Sequence, residues 1–183
     1  MGRLYAAIDA GLAAFIRAQR IFFVGTAPAA SDGHINLSPK GGDTFRILDP
    51  MTVGYLDLTG SGIETAAHVR ENGRITFMFC AFDGAPKILR LYGRGEVLEP
   101  GGVDFDALQR NFPAFEGTRA IIRARVNRIA DSCGYAVPLY GYQAERNHLA
   151  DWTRRKGPEG VAQYRVEKNR YSIDGLPGLR GTD

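Results

Sequence analysis

Apolar residues in the first twenty positions recur at helical spacing. Leu4, Ile8, Leu12, Phe15 and Ile16 fall on one stripe and predict an amphipathic helix over residues 4–19. The pattern then changes. Residues 21–26 (I-F-F-V-G-T) form a β-rich run, and Ser31-Asp32-Gly33 supplies turn chemistry. Residues 22–37 are therefore expected to make an antiparallel hairpin with His34 near its turn. The returning strand, 35–39, is expected to end where Pro39 lacks a donor and Gly41-Gly42 permits tight geometry. By period two, Asn36 and Ser38 share one face of that strand, and Ile35 and Leu37 share the other. The polar face either lines a ligand groove, ended by Lys40, or is simply solvated.

A further strand is predicted over residues 52–58, followed by Thr59-Gly60-Ser61-Gly62 and a helix over 63–71 that stops at Asn72-Gly73. A Gly/Ser-rich turn feeding a helix start presents free N–H groups. It can cradle a phosphate, with the Ser61 and Thr65 hydroxyls adding bonds, or it can merely cap the helix. Residues 74–82 and 87–98 are expected to pair around the turn Asp83-Gly84-Ala85-Pro86. Gly93 and Gly95 inside the second of these strands mark a bend or a close approach. On it Arg90, Tyr92 and Arg94 alternate with Leu89 and Leu91.

Residues 104–111 read as a short helix and 120–129 as a last long strand. A turn-rich segment at 131–138 follows, then helices over 146–156 and 158–169. Gly157 and Pro158 separate these two helices, glycine just past one end and proline in the first turn of the next. Roughly six short-spaced strands with helices at both ends predict a mainly β fold with flanking helices, an antiparallel barrel closed or nearly closed. We expect a single domain over 1–183, with an N-terminal helix at 4–19 and a C-terminal helical tail at 146–183.

Composition narrows the function. Of 183 residues, 44% are hydrophobic and 23% charged, as in an ordinary globular protein. The net charge is only +3, with 23 basic and 20 acidic residues interspersed, which argues against nucleic-acid binding and suits a small anionic ligand. Cys80 and Cys133 have no metal-type spacing, and Cys80 sits in an apolar run as a small buried thiol would. No metal site is expected. Asp9, Arg17 and Arg20 interrupt the apolar N-terminus, so a cytoplasmic protein without a membrane span is the expectation.

The series from residue 53 to 79, with the strand at 35–40 before it and the strand at 88–96 after it, resembles the pyridoxamine 5'-phosphate oxidase-like family of FMN-binding split β-barrels. The resemblance implies FMN as cofactor and a two-fold homodimer with the flavin at the interface. It implies cofactor contacts from Asn36, Ser38 and Lys40, from the strand end at Tyr55 and Leu56, and from the loop at Ser61, Gly62 and Thr65. Lys40, near the ring, is the one catalytic candidate. The oxidase proper has a Ser-Arg-Lys run where this chain has Ile63-Glu64-Thr65. Phosphate binding would then fall to backbone N–H groups, Ser61 and Thr65, with charge from Arg90 or Arg94, and Glu64 is expected to point away. The oxidase's C-terminal substrate signatures are missing, so efficient pyridoxamine phosphate oxidation is not expected. The leading function is an FMN-dependent oxidoreductase on a small substrate. The alternative is a flavin-binding carrier or sensor without turnover.

Overall fold

A computed structural model describes residues 2–180. The stripe of apolar residues near the start does not make one helix from residue 4. Leu4–Tyr5 is a short strand, β1, and the first helix, α1, is Ala10–Ala18. Asp9 sets this boundary, its carboxylate accepting the Leu12 N–H at 2.8 Å as an N-cap. Upstream, the backbone pairs instead with residues 129–130.

β2 (Ile21–Thr26) and β3 (Asn36–Gly41) form the expected hairpin. β3, however, continues through Pro39 to Gly41. It is an edge strand, where a missing ladder donor costs little. β4 (Phe45–Asp49) was not foreseen and pairs with β5 (Thr52–Leu58). Helix α2 (Glu64–Asn72) ends at Gly73, which holds the left-handed conformation (φ 71°) of a helix stop. β6 (Arg74–Cys80) and β7 (Ile88–Leu98) pair as predicted. Helix α3 (Val103–Gln109) then precedes β8 (Thr118–Ser132), which runs longer than its expected 120–129. The last helix, α4 (His148–Lys168), is broken at Gly157 (φ 68°, ψ 171°), so its two halves meet where glycine and proline predicted.

The described residues thus contain eight strands rather than six, in one antiparallel sheet of order β3-β2-β6-β7-β8-β5-β4 with β1 on β8. The sheet curls into a half-barrel split between β3 and β4, which are consecutive in the chain but not hydrogen-bonded to each other. Aromatic rings bridge this split from inside. Phe45 meets Phe22 at 5.0 Å and Phe79 at 5.1 Å between centroids, both edge-on. Around them Val24, Val53, Tyr55, Phe77, Leu89, Leu91, Ile122 and Ile129 form the core, and α1 packs Leu12, Ala13 and Ile16 against it. A second cluster of Leu56, Phe105, Phe112 and Ile121 packs α3 on the sheet's other face. Cys80 is buried and Cys133 exposed, both unpaired. Residues 181–183 of the expected C-terminal tail lie outside the described residues, and 170–180 is an irregular segment, not helix.

Gly93 carries the close approach that its position suggested. The β7–β8 register shifts between Tyr92 and Gly93, and a Cβ at Gly93 would lie 2.3 Å from the Arg125 carbonyl oxygen. Gly93→Ala should therefore cost about 2–3 kcal/mol, the scale of an overpacked interior site. Urea unfolding at 25 °C measures it. A loss under about 0.5 kcal/mol would mean that the bulge absorbs the methyl group.

Candidate functional site

Edge strand β3 is inverted relative to an ordinary surface strand. Asn36, Ser38 and Lys40 are half-buried, whereas Ile35 and Leu37 are 81% and 64% exposed. The inward side chains meet partners already in place. Asn36 Nδ2 donates to Thr65 Oγ1 (2.9 Å) and Thr26 Oγ1 (3.1 Å), and its Oδ1 accepts from the Ser38 hydroxyl (2.9 Å). Thr26 Oγ1 in turn lies 3.1 Å from His68 Nδ1, so a polar chain runs from the edge strand to the inner face of α2.

The second network starts where this strand ends. Lys40 Nζ is 3.4 Å from Asp57 Oδ1, and Arg119 Nε donates to Asp57 Oδ2 at 2.8 Å. Asp57 is wholly buried and Arg119 nearly so. Burial by itself pushes the Asp57 carboxyl up, but Arg119 and Lys40 together outweigh it and hold the group below its ordinary value. Arg119 has donors left over. Nη1 donates to Gly60 O (3.1 Å) and to Asn169 Oδ1 (3.0 Å), and Nη2 to Gly62 O (2.7 Å). Asn169, just past α4, donates to Gly60 O at 2.9 Å. Arg165 of α4 adds bonds to Thr59 Oγ1 (3.0 Å) and Thr118 O (3.1 Å). The loop before α2 is thus held by its carbonyls, from the inside. In a trans peptide the N–H points opposite to the preceding C=O, so the N–H groups of Ser61 and Ile63 face outward.

Outside the loop lies a groove of about 520 Å³, lined by His34–Leu37, Ser61, Gly62, Glu64 and Ile173. That volume lies within the range of small-molecule sites. Its outer wall is the C-terminal segment. Asp174 accepts from the His34 N–H (2.8 Å), and its other oxygen is 2.6 Å from His34 Nδ1. Glu64 does not point away as expected. It accepts the Ile173 N–H at 3.3 Å, and a Cβ placed on Gly62 would lie 2.6 Å from its Oε2.

Of the expected site residues, Asn36, Ser61 and Gly62 line this groove and Thr65 lies behind Asn36, whereas Ser38 and Lys40 stand further along β3 and do not line it. Thr65 is buried and its hydroxyl is taken by Asn36. Tyr55 is enclosed in the core, and burial first, then the Asp57 charge, pushes its phenol well above the ordinary range. Leu56 packs on the opposite face of β5 under α3. Arg90 stands on the other face of β7 from the buried Leu89 and Leu91, donating to Ser132 Oγ at 3.0 Å, away from the groove. Arg94 donates to Asn72 O at the far end of α2. Thr26, Asp57, His68, Arg119, Asn169 and Asp174 were not picked out as site residues. Asp57 inside V-G-Y-L-D-L and Arg119 opening R-A-I-I were legible signals, being opposite charges set in apolar strands. A wider hollow of about 840 Å³ at the other end of α2, lined by Arg70 and Glu99 among others, contains none of the predicted residues. Among the described residues no cluster of His, Cys, Asp and Glu is arranged to hold a metal, and no helix is long and apolar enough to cross a membrane.

Comparison with known proteins bears on the family and the fold. The family model described as pyridoxamine 5'-phosphate oxidase matches residues 8–133. The pyridoxamine 5'-phosphate oxidase family protein ustO of Aspergillus flavus is 37% identical over 180 residues, covering 88% of this chain and 71% of that protein. HupZ of Group A Streptococcus superposes with a TM-score of 0.53 at 22% identity, covering 73% of this chain and 99% of that one. An FAD-binding protein from Mesorhizobium loti superposes with a TM-score of 0.51 at 14% identity, covering 72% and 96%. These two structural likenesses bear on the fold alone.

His68 is fully buried, and its Nε2 has no hydrogen-bond partner. Burial holds its pKa below the ordinary 6.5, against the carboxylates of Asp174, Glu64 and Glu71. A base with a depressed folded pKa stabilises the fold fully above the unfolded value. That contribution is lost as pH falls from about 6.5 through the folded pKa. His34, raised by its hydrogen bond to Asp174, works in the opposite sense. Urea unfolding of the wild type and His68→Asn at pH 7.5 and 5.5 should therefore show a smaller acid-side loss in the variant. Equal losses would mean that His68 is not the group taking up the proton.

Proposed function

The chain belongs to the pyridoxamine 5'-phosphate oxidase family, and on that premise we propose that it binds a flavin, FMN, in the groove between β3 and the loop before α2. In this reading it is a flavin-dependent oxidoreductase acting on a small substrate. The observation that carries it is the inverted strand, which turns Asn36, Ser38 and Lys40 inward and leaves Ile35 and Leu37 outside. The chain meets this inward face only in part: Thr26 and Thr65 bond Asn36 and Asp57 faces Lys40, which leaves Ser38 lone pairs and further Lys40 donors for a polar ligand.

A bound flavin supplies two-electron chemistry, taking a hydride from one partner and passing electrons to another. The chain's own residues supply placement and charge. Asn36 is locked by Thr26 and Thr65, so it offers a fixed edge rather than a rotating amide. Ser38 donates to Asn36 and keeps its oxygen lone pairs as acceptors. Lys40 gives one interaction to Asp57 and retains further N–H donors at the strand end. Its positive charge favours electron uptake by a ring held beside it. The outward N–H groups of the loop fit an anion, whereas Glu64 opposes one. Efficient pyridoxamine phosphate oxidation is not part of this reading.

The groove, walled by the start of β3, the loop before α2 and the C-terminal segment, opens to the surface. Ile35, Leu37 and Ile173, 81%, 64% and 70% exposed, flank it on an unpaired strand edge and the neighbouring tail. A two-fold homodimer that covers them would bury more than ~1,000 Å² and complete the wall.

Three measurements test the proposal. Titration with FMN should give affinity of about micromolar or better, near −8 kcal/mol. No heat and no fluorescence quenching at tens of micromolar would refute it. In the loaded protein, Lys40→Met should lower the flavin reduction potential while changing affinity little. An unchanged potential would remove Lys40 from the ring's surroundings. Light scattering should give twice the 20.0 kDa chain mass, and a monomer with flavin bound would end the dimer reading.

A further inference from the structure

Glu64 lines the groove at the first turn of α2, where the resemblance would put a phosphate and where the helix start favours an anion of either kind. The loop's carbonyls at Gly60 and Gly62 are drawn inward by Arg119, and Asn169 reinforces Gly60. That turns the Ser61 and Ile63 N–H groups away from Arg119, beside the first-turn N–H groups of α2 that have no helical partner. No side chain caps the helix start at Ile63. The Glu64 carboxylate folds back over Gly62 in this loop, with Oε2 2.6 Å from where a Gly62 Cβ would be. The tail holds it there through the Ile173 N–H at 3.3 Å. The donors and the competing anion are thus parts of one arrangement.

The basic groups nearby do not offset Glu64. Arg119 and Lys40 are committed to Asp57, and Arg165 to Thr59 and Thr118. His34 is committed to Asp174. Arg90 and Arg94, which sequence offered as balancing charges, bond elsewhere. A phosphate dianion entering the loop would meet a carboxylate at close range, while each of these basic groups already has a partner.

We propose that Glu64 is a specificity-determining residue whose carboxylate acts as a built-in competitor for the loop's N–H groups, so that the groove discriminates against phosphorylated ligands. This rests on the flavin-binding reading and deepens it. The ring and ribityl portions are recognised along β3, and the phosphate contributes little to affinity. The wild type therefore binds riboflavin nearly as well as FMN. Removing the charge at residue 64 turns the same loop into an effective phosphate site.

The test is a comparison of FMN and riboflavin affinities for wild type, Glu64→Gln and Glu64→Ala. Glu159→Gln, on the exposed surface of α4, serves as a control for net charge. Thermal melting of each variant checks that the fold is kept. Both Glu64 variants should bind FMN at least about tenfold more tightly relative to riboflavin, about 1.4 kcal/mol. Glu159→Gln should leave the ratio at its wild-type value. If both flavins bind and the ratio stays within about twofold in both Glu64 variants, the role of Glu64 is overturned and flavin binding stands. A strong wild-type preference for FMN also overturns it. If no variant binds either flavin, the flavin reading falls, and this inference with it.

Discussion

The buried pair of Asp57 and Arg119 is the interaction on which the site depends. Neither charge would survive alone at that depth. Desolvating an unpaired carboxylate or guanidinium costs several kcal/mol, and losing one partner of such a pair costs about 3–5 kcal/mol. The pair sits between β5 and β8, where the ladder shifts between Asp57↔Ala120 and Leu58↔Thr118 and leaves Arg119 as the extra residue beside Asp57. Because arginine brings five donors to a carboxylate that can accept only some of them, the surplus must go elsewhere. Here it goes to Gly60 O, Gly62 O and Asn169. A need for hydrogen-bond satisfaction inside the sheet thereby fixes the shape of a loop at its surface.

The split in the barrel is the second constraint. Closing β3 onto β4 would satisfy both edges, but the two strands are left unpaired with each other. The aromatic contacts of Phe45 with Phe22 and Phe79 hold the two edges near each other without ladder hydrogen bonds. β3 is then free to present its polar face to α2 rather than to solvent, and Asn36 docks on Thr26 and Thr65 in place of a neighbouring strand. The exposed Ile35 and Leu37 are the other half of that arrangement, since a strand with period two cannot turn both sets of side chains inward.

Sequence pattern carried most of the fold. β2, β5, the end of α2 and the break in α4 at Gly157 lie where periodicity and turn residues put them. It failed where local signals competed. The stripe from Leu4 to Ile16 is helical in spacing, but Asp9 caps the helix and frees residues 4–5 for the sheet. β4 was missed because F-R-I-L-D is short and lacks alternation, its stability coming from Phe45 in the core and from pairing with β5. Of the site, the polar face of β3 was legible from period two alone. The Asp57–Arg119–Asn169 network was not, because its members are 50 and 62 residues apart and only the register of β5 on β8 and the docking of α4 bring them together. The positions of Arg90 and Glu64 were misjudged for a related reason. Face parity along β7 was visible, but which face the groove occupied was not.

Asn169 reaches the Gly60 carbonyl across 109 positions of sequence. During synthesis the half-barrel strands, the loop and α2 all emerge before the residue that holds the loop in shape. A nascent chain that stops short of residue 169 can curl its sheet and fill its core, yet Arg119 would face the loop with one of its acceptors absent. The shape of the loop is thereby tied to the far end of the chain, and a chain cut before residue 169 would keep its sheet residues but lose one of the loop's two holders.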